Sequence, residues 1–193
     1  MKTKGVLVAV AVLAITGVAL VGWVRMLDPR GKPVAGEIDG AALVLNGSAF
    51  GTPDPSPEQT VTTSRDGLTI QVMADQPPPS PADRGVRILL AAARLSHVND
   101  RPLIVNIAYT LPRTNAASRL AVSLQGIEPS EWDTQPLSTD DGEAQFTLDA
   151  RSAVEAIGLR AISDTPGAPG AVVINDIRIT PADAASESEA AAD

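Results

Sequence analysis

Apolar residues fall along the chain in two different patterns. The first is one unbroken run, GVLVAVAVLAITGVALVGWV at 5–24, twenty residues without a charge between Lys4 and Arg25. Twenty helical residues rise about 30 Å, the hydrocarbon thickness of a bilayer, so this run predicts a transmembrane helix. Trp23 would sit at the far interface, where an amphipathic ring is favoured. The competing reading is a cleaved signal peptide, whose apolar region is normally about 7 to 15 residues. Gly17-Val18-Ala19 offers a cleavage site inside the run.

The second pattern begins near residue 37. Short apolar or alternating runs are separated by Pro, Gly, Asp and Asn, the signature of strands and turns. It predicts strands at 42–46, 60–64, 68–73, 86–92, 103–110, 119–125, 144–149, 157–163 and 172–180. Their spacing, with prolines in the connections 53–57, 77–81 and 165–170, points to two packed antiparallel sheets. Segments 91–94 and 152–157 are candidates for single helical turns. The expected organisation is an anchor at 1–27, a Pro/Gly linker at 28–36, a folded domain at 37–181 and a disordered acidic tail at 182–193.

Charge reinforces this division. Residues 1–32 carry Lys2, Lys4, Arg25, Arg30 and Lys32 against Asp28, a net of +4, whereas 33–193 carry ten arginines against 22 acids, a net of -12. An acidic body lacks the broad basic surface that phosphates need, which excludes nucleic acid as a general partner. A short basic tail ahead of a first apolar helix is the layout of a signal anchor. The expectation is therefore a single-pass protein of the inner (cytoplasmic) membrane, with the domain on the extracytoplasmic, periplasmic side. There is no cysteine and one histidine, His97. That excludes a disulfide framework, a thiolate zinc site, a Cys nucleophile and a multi-histidine metal centre.

Four segments carry a resemblance. LVLNGSAF at 43–50 is an apolar strand running into Asn-Gly and then Phe, and AVVINDIRIT at 171–180 alternates apolar residues around an Asn/Asp pair. Between them, LIVNIAYTL at 103–111 is followed by RLAVSL at 119–124. Together they resemble the galactose-binding-like and carbohydrate-binding-module jelly rolls. The resemblance implies an all-β jelly-roll antiparallel β-sandwich of about 8–9 strands, and glycan or protein binding as its task. It also implies a structural calcium, held in part by a Glu after the opening Phe. Gly51 stands there in this chain, leaving Asp176 as the matching ligand, with Asp39, Glu37 or backbone carbonyls to complete the oxygen shell.

Sugar rings stack on aromatic platforms, and after the anchor only Phe50, Tyr109, Trp132 and Phe146 are aromatic. Phe50 and Phe146 lie among apolar strand residues and are expected in the core, as is Tyr109 with its hydroxyl paired. Trp132 lies in a polar loop and is the candidate platform, flanked by Glu131 and Asp133 as hydroxyl acceptors. A second feature is basic: Arg84, Arg87, Arg94, Arg101, Arg113 and Arg119 stand against Asp100 alone within 84–119. Such a stripe could meet an acidic partner, an anionic glycan or lipid headgroups close to the anchor, or it could neutralise the protein's own carboxylates.

No catalytic constellation is visible. His97 lies beside Ser96 and near Asp100, an arrangement that cannot place serine and carboxylate on opposite imidazole nitrogens without unusual geometry. The acid pairs Asp140-Asp141 and Glu131/Asp133 lie in hydrophilic turns with nothing to raise a pKa. The sequence thus favours a non-catalytic membrane protein whose sandwich serves as an accessory or scaffolding subunit of a membrane complex. The alternative is a carbohydrate-binding accessory protein for an envelope polysaccharide.

Overall fold

The computed structural model describes residues 36–73, 79–127, 131–138 and 141–184. The apolar run 5–24, the linker up to residue 35 and the tail from 185 lie outside the described residues. Among the described residues no helix is long and apolar enough to cross a membrane.

Twelve strands lie among the described residues: β1 (Glu37–Asp39), β2 (Ala42–Asn46), β3 (Asp54–Pro55), β4 (Gln59–Thr63), β5 (Leu68–Val72), β6 (Val86–Leu89), β7 (Leu103–Thr110), β8 (Arg119–Gly126), β9 (Asp133–Pro136), β10 (Gly142–Leu148), β11 (Val154–Ile162) and β12 (Gly170–Pro181). They form an all-β sandwich of a seven-stranded and a five-stranded sheet. The five-stranded sheet runs β3-β6-β11-β8-β9. In the other sheet β12 is the hub. One of its edges pairs with β7 from Val173 to Pro181, while the opposite edge is divided between β5, opposite Gly170 to Ile174, and β2, opposite Asp176 to Ile179. β10 continues that sheet beyond β7, and β1 and β4 extend it beyond β2 and β5.

Alternation explains how the layers close. β7 buries every second residue, Leu103, Val105, Ile107 and Tyr109, and β10 buries Ala144, Phe146 and Leu148. A strand turns successive side chains to opposite faces, so these residues meet the Leu120, Val122 and Leu124 row of β8 and the Ile157, Leu159 and Ala161 row of β11 in one core. Phe50 and Phe146 are fully buried in it, as their neighbours imply. Tyr109 is buried too, with its hydroxyl 2.9 Å from Ser138 Oγ and accepting the Ser138 amide at 2.9 Å.

All nine expected strands are present. Three short ones, β1, β3 and β9, lack the apolar alternation that would have announced them. Two boundaries differ from expectation by three residues, and the others that differ do so by one or two. The 86–92 strand stops at Leu89 and yields to a short helix, α1 (Ala92–Leu95). The segment 152–157 is not a helical turn, because pairing with β8 draws it into β11 from Val154, after Ala153 at a φ of 54° and with a register shift before Ala156.

The central strands β8 and β11 of the five-stranded sheet are buried on both faces, which the sequence pattern did not announce. The residues of β8 and β11 that alternate away from the core, Ser123, Gln125 and Arg160, are buried as well. Their cover is the segment 79–85, which leads from β5 into β6. It is pinned where Gln125 Nε2 donates to the Arg84 carbonyl at 2.8 Å and Arg160 meets Asp83.

Candidate functional site

β9 is an edge strand of the five-stranded sheet and β10 an edge strand of the other. Beside them lies a groove of about 400 Å³, lined by Leu124, Glu131, Trp132, Asp133, Thr147, Leu148, Asp149, Ala150 and Arg151. The three residues expected to contact a glycan therefore share one concave surface. Glu131 and Asp149 are exposed in it, while Trp132, Asp133 and Arg151 are half-buried.

Each side chain has a defined origin. Asp133 opens β9 opposite Val122, and its carboxylate is committed to structure. Oδ2 accepts the Thr147 amide of β10 at 3.2 Å, and Oδ1 accepts Gln135 Nε2 at 3.2 Å. Trp132, one residue earlier, lies against the covering segment. Its indole N–H donates to the Ser80 carbonyl at 3.1 Å, and the far edge of its six-membered ring lies against Gly85, where a Cβ would come 2.9 Å from Cη2. Trp132 is thus not a free platform. One edge is fixed by the segment, and the ring remains partly exposed to the groove.

Arg151 and Asp149 of the groove escaped sequence reasoning, as did the Ser80 and Gly85 cradle. Only one signal for the wider network was visible. Arg160 is a lone charge inside the apolar run IGLRAI at 157–162.

The six arginines do not form one surface. Arg101 and Arg113 flank opposite ends of β7, a strand of eight residues that spans about 23 Å. Arg87 points away from the core, as expected. Its side chain is nevertheless only 14% exposed, it faces Glu155 at 3.8 Å, and it lines a second hollow of about 280 Å³ with Arg84 and Asp83. Arg94 Nε donates to the Gly36 carbonyl at 3.3 Å. Arg119 is bidentate on Asp164, which also accepts the Ser118 hydroxyl at 2.7 Å. Hydrogen bonding from Arg119 and then from Ser118 holds the Asp164 carboxyl below the usual range, and the bond to Asp164 raises Arg119. Three of the six are thus spent on partners within the chain. Arg84, Arg101 and Arg113 are exposed at separate places.

Asp176 sits at the register shift in β12 and accepts Asn46 Nδ2 at 3.2 Å, while Asp39 pairs with Arg178 at 2.8 Å. Among the described residues no three His, Cys, Asp or Glu side chains gather closely enough to hold a metal ion. His97 follows α1 in a turn, its amide bonded to the Arg94 carbonyl. Asp141 caps the Leu111 amide at 3.1 Å, and Asp140 lies outside the described residues.

No family model matches the chain, and no curated protein does. Solved structures similar to it include BiXyn10A CBM1 in its apo form, at 12% identity and a TM-score of 0.48 over 71% of this chain and 95% of that one. Another is the Clostridium thermocellum N-terminal endo-1,4-beta-D-xylanase 10B (Xyn10B) CBM22-1-GH10 modules complexed with xylohexaose, at 10% identity and a TM-score of 0.38. That match covers 78% of this chain and 28% of the xylanase chain. Both TM-scores fall below 0.5, and nothing about ligand follows from either similarity.

Proposed function

We propose that this chain is a non-catalytic carbohydrate-binding protein, a jelly-roll sandwich that takes a sugar residue in the groove beside β9 and β10. The observation that carries the reading is the convergence of Trp132, Glu131 and Asp149 on one concave surface, with the indole held in a fixed orientation. The apolar C–H face of a pyranose stacks on an indole, and its hydroxyls donate to carboxylates, so one ring needs this combination of flat apolar and acceptor groups. Asp133 shapes the site rather than contacting the sugar, since both its oxygens are engaged.

This reading displaces the scaffold reading because the arginines meant to face a protein partner are dispersed and half of them are paired within the chain. On the same proposal, residues 5–24 tether the domain at the outer surface of the inner membrane, within reach of an envelope polysaccharide. The test is electrophoresis of the full chain, in detergent, through gels containing soluble polysaccharides. Retardation in at least one of them is expected, and Trp132→Ala should abolish it. A chain retarded by none of a broad glycan panel would overturn the proposal.

A further inference from the structure

Arg160 is the largest fully buried side chain of the domain, 1% exposed, on the face of β11 turned away from the core. A buried cation is costly, and an apolar residue of similar volume would stabilise such a site at least as well. Its position points to a use beyond stability. Nη1 lies 2.8 Å from Asp83 Oδ2, an ionic contact rather than an aligned hydrogen bond. The same Oδ2 accepts the Ser80 amide at 2.7 Å, and the Asp83 amide returns a bond to the Ser80 carbonyl at 2.9 Å, so the turn is closed from both ends. That Ser80 carbonyl is the acceptor of the Trp132 indole N–H. Four residues from three parts of the chain thus form one continuous link from the buried cation to the aromatic ring.

We infer that Arg160 and Asp83 are positioning residues that set the orientation of the Trp132 ring, and with it the affinity and selectivity of the groove. The glycan consequence rests on the function proposed above, whereas the geometric link does not. Two features make the link stiff. Gly85, at a φ of 55°, holds its carbonyl on the Ser56 amide at 2.7 Å and has no side chain to push the ring away. Gln125 fixes Arg84 from beneath. The segment therefore cannot shift at Ser80 without disturbing anchors on β8 and β11, and Trp132 inherits their rigidity. An aromatic platform held in one orientation binds more tightly than one that must be ordered on binding.

The test uses the full chain in detergent with Trp23→Phe, which leaves Trp132 as the only tryptophan. Trp132 is followed by acrylamide quenching of its fluorescence and by its indole N–H resonance. Arg160→Met keeps the volume without the charge, Asp83→Asn keeps the shape with a weaker acceptor, and Arg160→Lys restores the charge. Met and Asn variants should show increased quenching and a shifted indole resonance. They should also lose about tenfold in glycan affinity, the equivalent of one charge-assisted contact, and Lys should recover part of each. Cooperatively unfolding Met and Asn variants with the parent's quenching and indole resonance would overturn the inference. If Arg160→Met does not fold, the partly exposed Asp83→Asn decides. A shifted Trp132 signal in a protein that binds no glycan in any form would support the link and refute the glycan reading.

Discussion

Asp133 Oδ2 and the Thr147 amide are joined at 3.2 Å, a bond between the edge strand of one sheet and the edge strand of the other. An edge strand leaves a row of amides without a ladder partner, and here one of them is capped by a side chain from the facing layer. The bond holds the mouth of the groove at a fixed width.

Asp133→Ala should therefore loosen the site more than the fold. Thermal unfolding should show a loss of about 1 kcal/mol, the worth of an ordinary hydrogen bond, because water reaches the released amide. Hydrogen exchange at Thr147 should accelerate, and retention on a binding polysaccharide should weaken. Unchanged exchange at Thr147 would show that the bond carries nothing.

Tyr109→Phe removes the hydroxyl that contacts both Ser138 Oγ and the Ser138 amide while leaving the ring in the core. The expected cost is about 1–2 kcal/mol. Calorimetry should show a Tm lower by about 2–6 °C with an unchanged fold.

Gly158→Ala tests the packing under the covering segment. A Cβ there would lie 2.1 Å from Gln125 Nε2 and 2.6 Å from Ser123 Oγ, inside a buried sheet face. Gln125 must move, which breaks its bond to the Arg84 carbonyl. The expected destabilisation is about 1–3 kcal/mol by chemical denaturation. Gly40→Ala, where no atom lies within 4 Å, should cost only the strain of its φ of 59°.

The Arg119–Asp164 pair gives a signed pH dependence. Hydrogen bonds from Arg119 and Ser118 hold the Asp164 carboxyl below the ordinary aspartate range, so its contribution is present above that range and is lost as pH falls through the folded pKa. Asp164→Asn should thus lower the Tm at pH about 7, and the gap to the parent should close as the pH falls below the ordinary aspartate range. The gap should be small, because the pair is half-exposed and solvent screens it. A gap that widened on acidification would reverse the assignment.

How far the sequence reached differs between fold and site. Alternation was enough for β2 and β7, whose bounds match the expected ones residue for residue, because each has one face in the core and one in water. It could not find β9, whose DTQP carries no buried residue and which forms through its ladder to β8. Trp132, Glu131 and Asp133 were legible because an aromatic between two acids in a polar stretch stands out locally. Asp83, Ser80 and Gly85 were not, because their importance arises from contacts with Arg160 and Trp132 across 47 or more positions of sequence. The arginine stripe failed for the converse reason. Residues close in sequence lie at opposite ends of a long strand, so proximity along the chain is not proximity in space.

The placement of β12 governs how this protein is made. Among the described residues, the strand that leaves the ribosome after all the others is the one to which β2, β5 and β7 all bind. Until residues 170–181 arrive, those three strands have no common neighbour, and their long-range pairing cannot be exchanged for local contacts. The seven-stranded sheet therefore assembles only after residues 170–181 have emerged, and its early strands wait until then with open edges that are prone to aggregation. A chain truncated by even a dozen residues before position 181 would lose not an ornament but the template of the layer, and quality control would meet it as an unfolded protein.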